Sequence, residues 1–124
     1  MLWEQFGPCV RVAGSGSTPK PAPDLLASNG GRCVAIECKA IKGEKRYFDY
    51  SELMQLKLFA DNFGAEPWVG VRFDKLGWWF VKVDKIRKSK GESFLVSLSR
   101  VKKEGLKFEE FIGKYRQKRL VSIQ

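Results

Sequence analysis

The stretch PDLLASNGGRCVAIECK, residues 23–39, decides how this chain is read. Its second half, Arg32-Cys33-Val34-Ala35-Ile36-Glu37-Cys38-Lys39, is an apolar run of strand length that ends in charge. Side chains alternate between the faces of a strand, so Glu37 and Lys39 share a face with Cys33 and Ala35, while Val34, Ile36 and Cys38 share the other. Upstream, Ser28-Asn29-Gly30-Gly31 is a turn-rich tetrapeptide able to supply positive φ, and the short run Leu25-Leu26-Ala27 before it is opened by Asp24. The spacing predicts a hairpin that returns Glu37 towards Asp24.

Two carboxylates and a lysine gathered this way suit one kind of chemistry. Oxygen ligands with at least two carboxylates fit Mg²⁺ or Mn²⁺, and a lysine beside them can orient or deprotonate a water or stabilise charge developing at phosphorus. Phosphodiester hydrolysis needs all of these. A plainer reading competes with it, because a structural ion pair, or a strand end emerging into solvent, carries charges of the same kind.

Pro23-Asp24, a spacer, and Glu37-Cys38-Lys39 together resemble the PD-(D/E)xK nuclease motif. That motif is permissive, and the flanking residues narrow it. With Arg11-Val12-Ala13-Gly14-Ser15-Gly16-Ser17 upstream, and with Gln55-Leu56 and Phe59-Ala60-Asp61-Asn62-Phe63-Gly64-Ala65-Glu66 downstream, the chain resembles the archaeal Holliday-junction resolvase family over roughly residues 7–83. The resemblance implies an α/β, restriction-endonuclease-like fold with a central mixed β-sheet flanked by helices. It implies a metal-dependent, structure-selective DNA endonuclease that acts as a homodimer and resolves four-way junctions by paired nicks. Asp24 and Glu37 would then bind Mg²⁺, or Mn²⁺ as a substitute, with the Cys38 carbonyl as a further ligand. Lys39 would position the nucleophile, Gln55 would support the catalytic cluster, and Arg11 and Ser15 would contact the DNA backbone. Two rivals stay open: another endonuclease of the superfamily, of restriction or repair type, and a DNA-binding homologue with impaired catalysis.

The opening residues Met1-Leu2-Trp3-Glu4-Gln5-Phe6-Gly7 read as the last turn and C-cap of a helix. Family members carry a metal-site glutamate on a longer N-terminal helix, well upstream of the arginine that matches Arg11. Glu4 lies too close to Arg11 to be its match, so the expectation is a shortened start and weakened cleavage.

Composition constrains the partner independently. A chain of 124 residues with 44% hydrophobic content can build one compact core and not comfortably two, so a single domain over residues 1–124 is expected. Its 23 basic and 14 acidic residues leave a net charge of +9, which favours nucleic acid or an anionic membrane. No segment approaches the ~18 apolar residues of a membrane span, and no secretory pattern opens the chain. A cytoplasmic protein without membrane association is the expectation. With no histidine and no CxxC pair among Cys9, Cys33 and Cys38, zinc-finger, Ser-His and Cys-His readings are removed or badly weakened. The strand cysteines are expected to be buried as small hydrophobes.

Further out, Cys9 to Val12 reads as a short strand, and Ala13–Pro23 as a Gly, Ser and Pro-rich loop. Its position before Asp24, with Ser15, Ser17, Thr18 and Lys20, suits it to gripping phosphates. Asp49-Tyr50-Ser51-Glu52 is a capping-box pattern, which predicts a helix from about Tyr50 to Phe63 stopped by Gly64. Leu53, Leu56, Phe59, Ala60 and Phe63 make one apolar stripe, with Met54 and Leu58 on another side. A small sheet can cover only one face, so Met54, Leu58, Phe59 and Phe63 are the expected dimer interface. Two aromatic strands follow, Trp68–Phe73 and Gly77–Val83, joined by Asp74-Lys75-Leu76, with Arg72 a candidate phosphate contact. Lys85–Lys90 reads as a solvated basic loop, Phe94–Leu98 as a further strand, and Phe108–Tyr115 as an amphipathic helix.

Overall fold

The computed structural model describes residues 7–11, 23–88, 91 and 93–111, with the backbone alone for Val10 and Arg11. In chain order the elements are β1 (Cys9–Arg11), β2 (Leu25–Ser28), β3 (Cys33–Ile41), β4 (Lys45–Asp49), α1 (Tyr50–Phe63), β5 (Glu66–Phe73) and β6 (Gly77–Lys82). A 3₁₀ turn at Val83–Lys85 leads to β7 (Arg87–Lys88), β8 (Ser93–Ser97), α2 (Leu98–Glu104) and β9 (Leu106–Lys107). A last helical turn occupies 108–111.

Six strands form the central sheet in the order β1-β2-β3-β5-β6-β9, with β3 and β5 parallel and the other neighbours antiparallel. This is the expected mixed α/β architecture. Both faces of β3 and β5 are covered, which is why Val34-Ala35-Ile36 and Trp68-Val69-Gly70-Val71 read as nearly continuous apolar runs. One face, carrying Ala35, Val69, Val71 and Phe73, packs on Leu53, Leu56 and Ala60 of α1. The other carries Val34, Ile36, Trp68 and Phe80 and packs on Phe111. Phe80 lies flat against Phe111, with ring centroids 4.5 Å apart, and Trp68 meets the same ring edge-on at 5.0 Å. Gly70 permits this arrangement, since a Cβ there would sit 3.1 Å from the Phe80 ring and 3.3 Å from Ile36.

Helix α1 has the predicted limits. The Glu52 carboxylate accepts the Asp49 N–H at 3.1 Å in the capping box, and Gly64 closes the helix at φ 84 with its N–H on the Ala60 carbonyl at 2.9 Å. The predicted stripe, however, is narrower than its sequence. Leu53, Leu56 and Ala60 are buried, Phe59 is half-buried, and Phe63 and Leu58 are 55% and 63% exposed. The Phe59 and Phe63 rings stack on one another at the flank of the helix, centroids 5.6 Å apart.

A second, three-stranded sheet, β4-β8-β7, was only partly legible. The expected strand at Phe94–Leu98 is Ser93–Ser97, but it pairs with β4 and β7 and takes no place in the central sheet. Leu98 instead opens α2, where Ser97 accepts the Arg100 N–H and the Leu98 N–H reaches back to the Glu44 carbonyl at 2.7 Å. The Lys85–Lys90 run is likewise structured in part, through the 3₁₀ turn and β7. The three cysteines are half-buried: Cys9 and Cys33 open their strands, and Cys38 lies in the middle of β3 on the face of Val34 and Ile36. Of the expected C-terminal helix, only 108–111 falls among the described residues.

Candidate active site

The site begins at a strand end. Strand β2 pairs with β3 up to Leu25 and Ile36, and there the chain bends at Asp24. Asp24 completes the pairing itself: its N–H donates to the Ile36 carbonyl at 3.1 Å, and its Oδ2 accepts the Cys38 N–H at 2.9 Å. It therefore holds the β3 edge on both sides of Glu37. Backbone groups of alternate strand residues point to the same edge, so the Cys38 carbonyl turns towards the edge at which Asp24 sits.

Lys39 lies one side-chain period beyond Glu37, on the same face, with Nζ 3.7 Å from Glu37 Oε2. Both side chains are about one-quarter exposed, at 28% and 26%. Glu37 has its carboxyl pushed above the usual carboxylate range, chiefly by burial, then by the negative charge of Asp24. Lys39 opposes that shift, Glu52 adds to it, and the Asp24 backbone N–H counters it. The result is a half-buried pocket of negative charge compensated only in part by one ammonium.

Glu52 is a member of this electrostatic group that the sequence reading assigned only to the helix cap. Strand β4 explains its presence, since it carries the chain from the end of β3 straight back to the first turn of α1. Gln55 lies one turn beyond Glu52 on the same flank of α1, exposed. Arg72 stands elsewhere. Lys39 is in register with Val71 and Ala40 with Arg72, so Arg72 is exposed on the sheet face opposite Glu37 and Lys39. Strand alternation thus removes it from the carboxylate side. The backbone of Arg11 lies in β1, and its side chain, together with Ser15, Ser17, Lys20 and the opening segment with Glu4, lies outside the described residues.

Among the described residues, no group of three or more acidic, histidine or cysteine side chains is placed to hold a metal. The oxygen donors that could face a cation at this end of β3 are the Asp24 and Glu37 carboxylates and the Cys38 carbonyl. Hard oxygen donors with surplus negative charge fit a divalent cation that retains several waters.

The sequence model of the archaeal Holliday junction resolvases (Hjc) matches residues 1–120. The chain belongs to that family. It is 37% identical over 118 residues to the crossover junction endodeoxyribonuclease Hjc of Archaeoglobus fulgidus, covering 95% of this chain and 85% of that protein. The Hjc of Sulfurisphaera tokodaii is 31% identical over 83% of this chain and 72% of its own length. The fold agrees: the 1.6 Å structure of Archaeoglobus fulgidus Hjc, a Holliday junction resolvase from an archaeal hyperthermophile, superposes with a TM-score of 0.81 at 34% identity, covering 90% of each chain. Among the described residues, no helix of this resolvase-family chain is long and apolar enough to cross a membrane.

Proposed function

We propose that this chain is a metal-dependent crossover junction endodeoxyribonuclease that cuts four-way DNA junctions with paired nicks. The observation that carries the reading is the placement of Asp24 against the β3 edge on both sides of Glu37, with Lys39 beside it. The names of its Hjc relatives supply the substrate class.

Asp24, Glu37 and the Cys38 carbonyl are the donors that would hold Mg²⁺, with Mn²⁺ as a substitute. When bound, the ion neutralises charge on the attacked phosphodiester and makes water a stronger nucleophile near neutral pH. Lys39 contributes a fixed positive charge within the same half-buried space, where it orients the attacking water and stabilises the charge that grows on the phosphate oxygens. Gln55, exposed on the Glu52 flank, would hydrogen-bond substrate and support the catalytic cluster. Arg11, Ser15, Ser17 and Lys20 would hold the backbone next to the scissile bond.

A second copy accounts for the outer face of α1. Leu58 and Phe63 are exposed large apolar side chains, with Phe59 and Met54 half-buried beside them. A homodimer packed on this face would present two sites related by two-fold symmetry, matching the symmetry of a four-way junction.

The test is cleavage of a four-way junction, a flap and a plain duplex by the wild type and by Glu37→Gln, with Mg²⁺ titrated. Junction cleavage in symmetric pairs, lost in the variant, is expected. Equal cutting of all three DNAs would assign the chain to another nuclease activity, and metal-independent cutting would remove the proposed chemistry.

A further inference from the structure

The second sheet has a feature that the carboxylate site does not use. Where β7, the end of β8 and α2 meet, Lys85, Arg87, Arg100 and Glu104 rim a shallow, solvent-open notch. Its floor is apolar and includes Val96. Three cations there face one carboxylate, and that carboxylate is engaged by Arg87 at 2.6 Å.

At this place Nη1 of Arg100 is buried with no acceptor; Nε of Arg46, on the neighbouring strand β4, is buried without one as well, its guanidinium lying over the Phe48 ring at 5.4 Å. Arg100 lines the notch, and Arg46 sits directly across the β4–β8 ladder from Val96. Buried donors of charged groups are normally satisfied, so the Arg100 nitrogen left without an acceptor in a cation-lined opening marks a place for an anion. The surrounding chain has the matching charge. Residues 42–49 and 84–107 together hold eleven basic and five acidic residues, most of the excess that gives the protein its net +9.

The position is also specific. Strand β4 joins β3, which carries Glu37 and Lys39, to α1, which carries Glu52, so one edge of the small sheet borders the carboxylate site. Strand β7 is the opposite edge, roughly 10 Å away across two strand spacings. An anion held at the notch is therefore distinct from the phosphodiester being cut.

We propose that the notch rimmed by Lys85, Arg87 and Arg100 binds a phosphate group of the DNA arm that runs past the carboxylate site. The assignment rests on the nuclease reading for the source of the phosphate and on the cation-lined notch with the unsatisfied Arg100 nitrogen for the site itself. It makes the small sheet a second grip on the substrate, one that holds an arm without touching the reacting atoms.

Lys85→Ala removes an exposed cation and leaves the core intact, while Arg100→Gln removes the half-buried one and Arg100→Lys restores its charge. Binding of an uncleaved four-way junction, measured in Ca²⁺ across a salt series, should weaken by roughly threefold to tenfold in Lys85→Ala and Arg100→Gln. The slope of log Kd against log salt should fall by about one in each, as for one lost phosphate contact. Arg100→Lys should recover most of the loss. The single-turnover rate at saturating junction should be unchanged in Lys85→Ala. Inorganic phosphate titrated into the free protein, followed by the NMR side-chain signal of Arg100, should shift it. Unchanged junction affinity and salt slope in folded Lys85→Ala and Arg100→Gln would overturn the DNA assignment, including the case where inorganic phosphate alone binds. No response of Arg100 to phosphate would overturn the anion site. If the wild type neither binds nor cuts a junction while phosphate still moves Arg100, the nuclease reading fails and the DNA source fails with it.

Discussion

Asp24 Oδ2 accepts the Cys38 N–H at 2.9 Å, so one carboxylate serves both as the edge partner of β3 and as a neighbour of Glu37. Beyond the end of β2 the β3 backbone needs a partner, and a side chain supplies it. The same contact fixes the carboxylate beside Glu37, the acid of β3. Fold and candidate chemistry thus depend on the same atom, and variants of Asp24 can separate them.

Asp24→Asn keeps an oxygen for the Cys38 N–H but removes the charge. Its stability is expected to stay within about 1 kcal/mol of wild type, whereas junction cleavage in Mg²⁺ falls at least about a hundredfold. Junction affinity should hold or improve, because a negative charge near phosphate is gone. Asp24→Ala removes the acceptor as well and should lose a further ~1–3 kcal/mol in urea unfolding. Near-normal cleavage by Asp24→Asn would end its assignment as a ligand.

At the other end of β3, Arg32 pairs with Glu66 of β5 through two nitrogens, and Trp68 Nε1 adds a bond to the same carboxylate at 3.3 Å. Burial alone would raise the Glu66 pKa, but the Arg32 hydrogen bonds and charge, with Trp68 and Lys82, bring it below the ordinary value. A depressed carboxylate stabilises the fold above its unfolded pKa and loses that contribution as pH falls through the folded one. Glu66→Gln should therefore cost ~1–3 kcal/mol at pH 7, and the gap to wild type should close in acid below about pH 4.5. Cleavage at saturating junction should be unaffected, since the pair lies at the far end of β3. A gap that persists at pH 3 would mean that packing, and not charge, dominates there.

On the outer face of α1, Leu58→Glu and Phe63→Glu place a charge on groups that are 63% and 55% exposed in one chain. In an isolated monomer both changes should be nearly neutral, within about 0.5 kcal/mol. In a dimer built on this face they bury unpaired charge, and sedimentation should show wild-type dimers converted to folded monomers at micromolar concentration. Monomeric wild type under the same conditions removes the dimer proposal.

Much of this arrangement was legible because strand alternation is strict. The run from Cys33 to Lys39 assigned every side chain to its sheet face, and the Asp49–Glu52 box with Gly64 placed both ends of α1. Helical periodicity was less decisive, since Phe59 falls on the flank of the stripe of Leu53, Leu56 and Ala60, and Phe63 follows the last buried position, Ala60, at the exposed end of the helix. The same alternation that located Glu37 misplaced nothing about Arg72; its strand was read correctly, and only its pairing with β3 reveals which face it occupies. Strand β4 escaped notice because Lys45-Arg46-Tyr47-Phe48-Asp49 buries Phe48 fully and little else, and its partner β8 lies more than forty residues away. Without β4 there was no reason to bring Glu52 to Glu37.

The electrostatics of Glu37 lead to a prediction in which loss of a candidate metal ligand strengthens the fold. Burial and the charges of Asp24 and Glu52 raise its pKa, and Lys39 offsets them only partly. Above the folded pKa, Glu37 is ionised in both native and unfolded chains, and the native state bears the full cost of the raised value. As pH falls towards the unfolded value near 4.5, the native carboxyl takes up its proton first and that cost disappears. Glu37→Gln removes the cost at every pH. In metal-free buffer at pH 7 the variant should therefore melt a few degrees above wild type, with the difference shrinking as pH approaches 4.5. Mg²⁺ should reverse the order, raising the Tm of wild type by mass action and leaving Glu37→Gln nearly unmoved. Parallel melting curves with and without Mg²⁺ for both proteins check the two halves separately. Equal melting temperatures without metal would show that Lys39 fully compensates Glu37, and an equal Mg²⁺ response would show that Glu37 does not hold the ion.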